Sequence, residues 1–314
     1  MRTHSFAFTF FCAATTVVAS SSHNFEARNV HARHLIHARQ PPIEKRCKTR
    51  TESESTSSTF ADDSVQSSSS TTHSVTPTST STSAQASASS SGSGLLSVVS
   101  TCGAIGATLD ITSQSGPNGN IYWINCGLSD DGWNPVYVNI SQIIVKDLNT
   151  ALQDSSTPFS ACSSYIDKFN QYGEELNVPP IFIASFAMQE SSCNPATVGG
   201  GGEEGLMQLT PDKCTDAPNG DCQDVDYNIY TGAKYFSDLL DSNDGDLFLS
   251  VGSYNGWYKG MTYADATAAA SSDCCRCQQN LDYLHQFFNG WIQNYDPYAN
   301  DLGVYHNLDV CGSD

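Results

Sequence analysis

The chain has 314 residues, a formal net charge of −19 at neutral pH and 12 cysteines. So acidic a composition argues against nucleic-acid binding, which needs Lys and Arg to neutralise phosphates. It also lacks the basic patch that would steer a protein to an anionic surface.

Arg2 and His4 precede an apolar run from Phe6 to Ala19 that ends in the small residues Val17-Val18-Ala19. This pattern predicts a signal peptide over 1–19, too short to cross a bilayer, and hence a secreted protein. Residues 20–46 are rich in His and Arg and end in Lys45-Arg46, which predicts a pro-peptide cut at a dibasic pair in the fungal manner. Residues 47–94 are mostly Ser and Thr. They cannot bury enough apolar area to offset the entropy of ordering, so a disordered stalk is expected, with cell-wall attachment open to it.

Residues 95–314 are then the one globular unit, long enough for a single core. They hold all four Trp and set six basic residues against 27 acidic ones, a formal charge of −21. Ten cysteines remain there, from Cys102 to Cys311. In a secreted chain they predict up to five disulfides, with pairing not readable from spacing. Cys274-Cys275-Arg276-Cys277 has no histidine near it in sequence and suits oxidised pairs better than metal. No metal, no cofactor and no membrane span are expected, and a monomer is expected.

Ser115-Gly-Pro-Asn-Gly-Asn120 is a turn cluster that predicts a short hairpin in a small disulfide-rich N-terminal subdomain. From Val138, Ile140, Ile143, Ile144, Leu148 and Leu152 fall on one helical face. A second helix is predicted over 159–176. Pro179-Pro180 opens a third that is apolar nearly all round from Ile181 to Met188 and so should be central. Thr210 is expected to cap the next and Asp226 the one after, with Ile229, Ala233, Phe236, Leu239 and Leu240 inward and Gly232 allowing close approach. Asp246 opens a short helix to Tyr254, and a last long helix carries Leu281, Leu284, Phe287, Phe288, Trp291 and Ile292. The fold class is mainly α (α+β). The sequon Asn139-Ile140-Ser141 marks a surface position open to glycosylation.

Glu190 ends the central apolar helix. Desolvation and the negative end of the helix dipole should both favour its protonated form, as a glycosidase acid requires. By itself it could equally be a solvated helix end. Around it, Gln189-Glu190-Ser191 with Asn194-Pro195, Gly205-Leu206-Met207-Gln208 with Pro211, Asn228-Ile229 with Gly232, and Ser253-Tyr254-Asn255-Gly256 follow in order. Over roughly 178–261 the chain thus resembles the lytic transglycosylase (SLT) domain, the lysozyme-like glycoside hydrolase family that includes goose-type lysozymes.

That resemblance implies a lysozyme-like helical fold and cleavage of β-1,4 bonds between N-acetylmuramic acid and N-acetylglucosamine, with peptidoglycan or a related amino-sugar polymer as partner. It implies Glu190 as the catalytic acid and base, with Gln208, Met207, Tyr254 and Asn255 about the substrate. Tyr254 and Met207 can equally be core residues. Many family members carry a serine nine residues after the glutamate, where this chain has Gly199; Ser191 or Ser192 could take over its role. Glu203 and Glu204 stand where the family has small residues. They are either solvated loop acids, the favoured view, or the second carboxylate of an inverting hydrolase, which needs the pair roughly 6.5–9.5 Å apart. The alternatives in function are a chitin or chitosan hydrolase, suited by the acidic surface, and a non-catalytic sugar-binding surface protein.

Overall fold

The structure is a computed structural model that describes residues 94–312. The expected leader, pro-peptide and nearly all of the stalk lie outside the described residues. The rest is mainly helical, with one two-stranded hairpin, β1 (Ser115–Gly116) and β2 (Gly119–Asn120). The hairpin sits in the turn cluster itself, and Asn120 then caps a single helical turn, α1 (Ile121–Ile124).

Between 138 and 147 the predicted helix is absent, and only α2 (Leu148–Ala151) is helical. The apolar spacing there is real, but the backbone finds partners elsewhere. Asn139 Oδ1 accepts from Ser141 N, Asn118 Oδ1 accepts from Ile144 N, and Ile292 O accepts from Lys146 N. A segment rich in β-branched residues and bracketed by Asn139 and Asp147 gains more from these bonds than from an internal ladder.

A 3₁₀ segment (Pro158–Tyr165) runs into α3 (Ile166–Glu175), whose Phe169 and Tyr172 face the core as predicted. Next, α4 (Pro180–Ser191) is buried along its whole length from Ile181. Pro180 fills its first turn at no cost in hydrogen bonds. It ends on Ser192 and Cys193, both in the left-handed region, whose N–H groups return to Met188 O and Ala187 O.

Thr210 precedes only a 3₁₀ turn (Pro211–Lys213) and makes no cap bond. The long helix α5 (Val225–Ser242) is capped by Asp224, not Asp226. Asp226 lies in its first turn and accepts from Tyr172 Oη and Lys168 Nζ, which ties α3 to α5. The Lys168 ammonium beside it holds its carboxyl below the usual range, while burial and that same carboxylate push the Tyr172 phenol up. Asp246 caps α6 (Leu247–Tyr254) as expected, and burial pushes its carboxyl up. The single turn α7 (Tyr263–Ala266) follows with a capping box.

The last helix begins as α8 (Tyr283–His285), widens to π geometry over Gln286–Gly290 and tightens again over Trp291–Gln293. All six residues predicted to face inward are buried. The core is the stack of Phe182, Phe186, Phe236, Tyr254 and Phe287, with Phe186 4.1 Å from the Tyr254 ring and 4.6 Å from Phe287.

Five disulfides join the described residues: Cys102–Cys126 in the N-terminal part, Cys162–Cys193, Cys214–Cys222, Cys274–Cys277 and Cys275–Cys311. The neighbours Cys274 and Cys275 go to different partners. No helix among the described residues is long and apolar enough to cross a membrane.

Candidate active site

Glu190 lies in the last turn of α4 and is fully buried. Three constraints fix it there. The left-handed turn at Ser192–Cys193 stops the helix, and the Cys162–Cys193 disulfide pins that turn to the 3₁₀ segment. Ser191 Oγ is placed to donate to Ala187 O at 2.9 Å or Leu206 O at 2.8 Å, joining the helix end to the following loop. The Ser191 hydroxyl is therefore engaged inside the protein.

The hydrogen-bond partner of Glu190 comes from far along the chain. Tyr283 Oη, itself buried, donates to Glu190 Oε1 at 2.7 Å. The helical spacing does not single out Tyr283, which falls beside the apolar face of the last helix rather than on it. The available signal was a polar row, Tyr283 and Gln286, one turn apart in an otherwise apolar stretch.

Gln189, one residue before the acid, is held from the same helix. Its Nε2 donates to Gln286 Oε1 at 3.2 Å, its Oε1 accepts from Trp291 Nε1, and Tyr298 Oη donates to its carbonyl at 3.0 Å. Gln286 in turn receives Asn280 Nδ2 at 2.9 Å. The π-shaped turn brings Gln286 and Asn289 inward together, a use of such turns common at functional sites. His285 on the same helix is buried between Thr112 O and Asn289 Nδ2, and burial pushes its imidazole down to about 4.

The loop side is built on Asn228, whose Oδ1 accepts from Met207 N at 2.8 Å while its Nδ2 donates to Glu204 O and Cys222 O. Met207 is buried against Gly232, where a Cβ would come within 2.5 Å of Met207 Cβ. Tyr254 is buried in the aromatic stack and its hydroxyl donates to Met207 O at 3.0 Å. Asn255 ends α6 and is buried. Thus Met207 and Tyr254 sit in the core beneath the loop.

Gln208 is fully buried at φ +47°, and its Nε2 gives both hydrogens to the loop, to Thr197 O at 3.1 Å and Gly205 O at 2.9 Å. Glu203 is also fully buried, so the expectation of a solvated loop acid is corrected for this residue. Backbone pairing of Glu204 with both Val198 and Leu209 turns the Glu203 side chain inward under the glycines, where its Oε2 accepts from Gly201 N at 3.0 Å. Glu204 is half-buried and receives Gln223 Nε2 at 3.4 Å.

Among the described residues no group of three or more His, Cys, Asp or Glu is placed to hold a metal. A cavity of about 460 Å³ is lined by Asn139, Leu176, Asn177, Asp241 and Gly245, and by none of the residues described around Glu190. Leu176 and Asn177 precede the start of α4, and its length puts Glu190 roughly 15 Å along the axis from there.

Residues 167–262 match the family described as Transglycosylase SLT domain. A transglycosylase of Enterobacteria phage PRD1 is 32% identical over 110 residues, 35% of this chain and 40% of the relative. The chain thus spans about two fifths of the length of that curated relative. Among solved structures, the complex of the 70 kDa soluble lytic transglycosylase with bulgecin A aligns at 25% identity over 32% of this chain and 17% of its own, with a TM-score of 0.29. The soluble lytic transglycosylase of Escherichia coli aligns at 26% identity over 29% and 16%, with a TM-score of 0.28. An inactive mutant of the lytic transglycosylase Slt from Pseudomonas aeruginosa aligns at 18% over 44% and 23%, with a TM-score of 0.29. Residues 167–262 are thus similar to transglycosylase SLT domains and lie within a mainly helical, disulfide-bonded, lysozyme-like fold.

Proposed function

We propose that this protein, through its SLT domain, is a lytic transglycosylase that cleaves the β-1,4 bond between N-acetylmuramic acid and N-acetylglucosamine in peptidoglycan, with Glu190 as its acid and base. The observation that carries it is the buried Glu190 carboxyl at the end of an apolar helix, fixed by the Tyr283 hydroxyl. Glu190 gives its proton to the glycosidic oxygen as the bond from that oxygen to C1 breaks. The carboxylate left behind takes the proton of the muramic C6 hydroxyl as its oxygen bonds to C1. A 1,6-anhydro end results and Glu190 is protonated again. With water in place of the C6 hydroxyl the product is a reducing end. Tyr283 positions the carboxyl, and Gln208 and Asn255 border the sugar. Met207 and Tyr254 support that border from below.

The protein is read as a secreted one of fungal type: a leader at 1–19, a pro-peptide to 46, a stalk at 47–94 and a catalytic domain at 95–314. Ten cysteines paired in five disulfides support an oxidising destination.

Mass spectrometry of peptidoglycan digests tests the reaction. Anhydro-muropeptides are expected from the wild type, and reducing ends would indicate hydrolysis instead. Release of neither product, or a Glu190→Gln variant that digests as well as wild type, would overturn the proposal.

A further inference from the structure

Glu203 Oε1 and Gln208 Oε1 are buried acceptor atoms with no hydrogen-bond partner. Both Gln208 amide hydrogens are committed, so the amide cannot turn to offer a donor. The two side chains face the same space. A Cβ built on Gly199 would lie 2.5 Å from Glu203 Oε2, the oxygen that accepts from Gly201 N, and 2.8 Å from Gln208 Oε1, so those two oxygens are at most 5.3 Å apart, while the unpartnered Oε1 of the same carboxyl lies beside Gly201. None of the ion pairs among the described residues involves Glu203. Buried polar oxygens left without a donor are costly, and a group with more than one hydrogen can serve the Glu203 carboxyl and Gln208 Oε1 together.

We propose that Glu203 and Gln208 form a subsite for the ammonium group of a de-N-acetylated glucosamine unit, so that the preferred substrate is an amino-sugar chain bearing free amines. This rests on the sugar-cleaving function proposed above. An ammonium has three donors and can bond a Glu203 oxygen and Gln208 Oε1 at once, whereas an acetamide N–H has one. The upper limit of 5.3 Å between Glu203 Oε2 and Gln208 Oε1 admits one nitrogen within hydrogen-bond length of both. The cover over these oxygens is the backbone of Gly199–Gly202, which carries no side chain, and Gly200 and Gly201 are exposed. The left-handed Gln208, at φ +47°, is the kind of strained position that proteins keep at binding sites. The domain's charge agrees: at −21 over 95–314 it repels anionic glycans and attracts cationic ones.

The test compares cleavage of peptidoglycan with and without prior de-N-acetylation by the full-length protein, and calorimetric binding of glucosamine and N-acetylglucosamine oligomers. Wild type should favour the free-amine substrate by about tenfold or more in kcat/KM, mostly through KM. Glu203→Gln should bring that ratio near one. Gly199→Ala, which fills the space with a methyl group, should do the same, and circular dichroism checks that each variant folds. Equal use of both substrates by wild type, or a preference kept by both variants, overturns the subsite. So does calcium binding at this position with no preference between oligomers. If wild type cleaves neither polymer, the function proposed for Glu190 fails. The oligomer binding ratio, with and without Glu203→Gln, still decides the subsite.

Discussion

Tyr283 Oη reaches Glu190 Oε1 at 2.7 Å although 93 positions separate the two residues. Both are fully buried, so the contact works where water does not compete. A hydrogen bond is worth roughly 0.5–1.5 kcal/mol to a neutral carboxyl and roughly 1.5–3 kcal/mol to the carboxylate that proton transfer leaves. Tyr283→Phe is therefore expected to lower kcat by about 10–100-fold with little change in KM, because it removes a positioning bond and leaves the ring in place. Steady-state kinetics on peptidoglycan fragments measures the split. An unchanged kcat would mean that the hydroxyl only fills space.

Loss of the Cys162–Cys193 bridge should release the end of α4. Its sequence separation of 31 residues corresponds, by loop-closure entropy, to roughly 3–4 kcal/mol. The double substitution Cys162→Ala with Cys193→Ala should lower the denaturation midpoint accordingly. Activity should fall further than stability at temperatures where the protein is still folded, since Glu190 is three residues from Cys193. Equilibrium denaturation and kinetics on the same sample separate the two effects.

Gly232 touches Met207 so closely that a methyl group would meet its Cβ at 2.5 Å. Gly232→Ala adds helix propensity to α5 but overpacks this contact, and the second effect should win by about 1–3 kcal/mol. Thermal melting of the variant gives the sign. A rise in Tm would show that the loop at 205–209 can move away freely.

His285 gives the fold an acid limit. Burial holds its imidazole at about 4, against 6.5 in an unfolded chain. Above pH 6.5 both states are neutral and His285 is silent. As pH falls from 6.5 towards 4 the unfolded chain takes up a proton that the folded one refuses, so stability is lost across that window. The full shift corresponds to about 3 kcal/mol. Melting curves between pH 7 and pH 4 should show a steeper decline in wild type than in His285→Asn.

Much of the helical frame was legible in the sequence. The run from Pro179 to Ser191 announces a buried helix because only Ser185 interrupts its apolar residues before Gln189, and Asp246 and Gly232 did what their chemistry suggested. The misreadings share one cause. At 138–147 the helical spacing was present, but Asn118 and Ile292 supplied bonds from remote segments. Asp226 seemed a cap, and Lys168 and Tyr172 claimed it from another helix. Glu203, in a polar loop, read as solvated until the Val198–Glu204–Leu209 pairing turned it inward. Tyr283 is the largest omission for the same reason, since no local pattern tells a tyrosine that its partner lies on α4.

The separation of Glu190 from Tyr283 also orders the life of the chain in time. During synthesis the carboxylate leaves the ribosome 93 residues before the hydroxyl that will bond it. The segment up to 262, which carries every recognisable motif, is made without that bond. Beyond Tyr283, the Asp282 carboxylate gathers the N–H groups of Val304, Tyr305 and His306, and Cys275 waits for Cys311. The acid can therefore meet this tyrosine only after residue 283 has been made, later than every motif of the segment to 262.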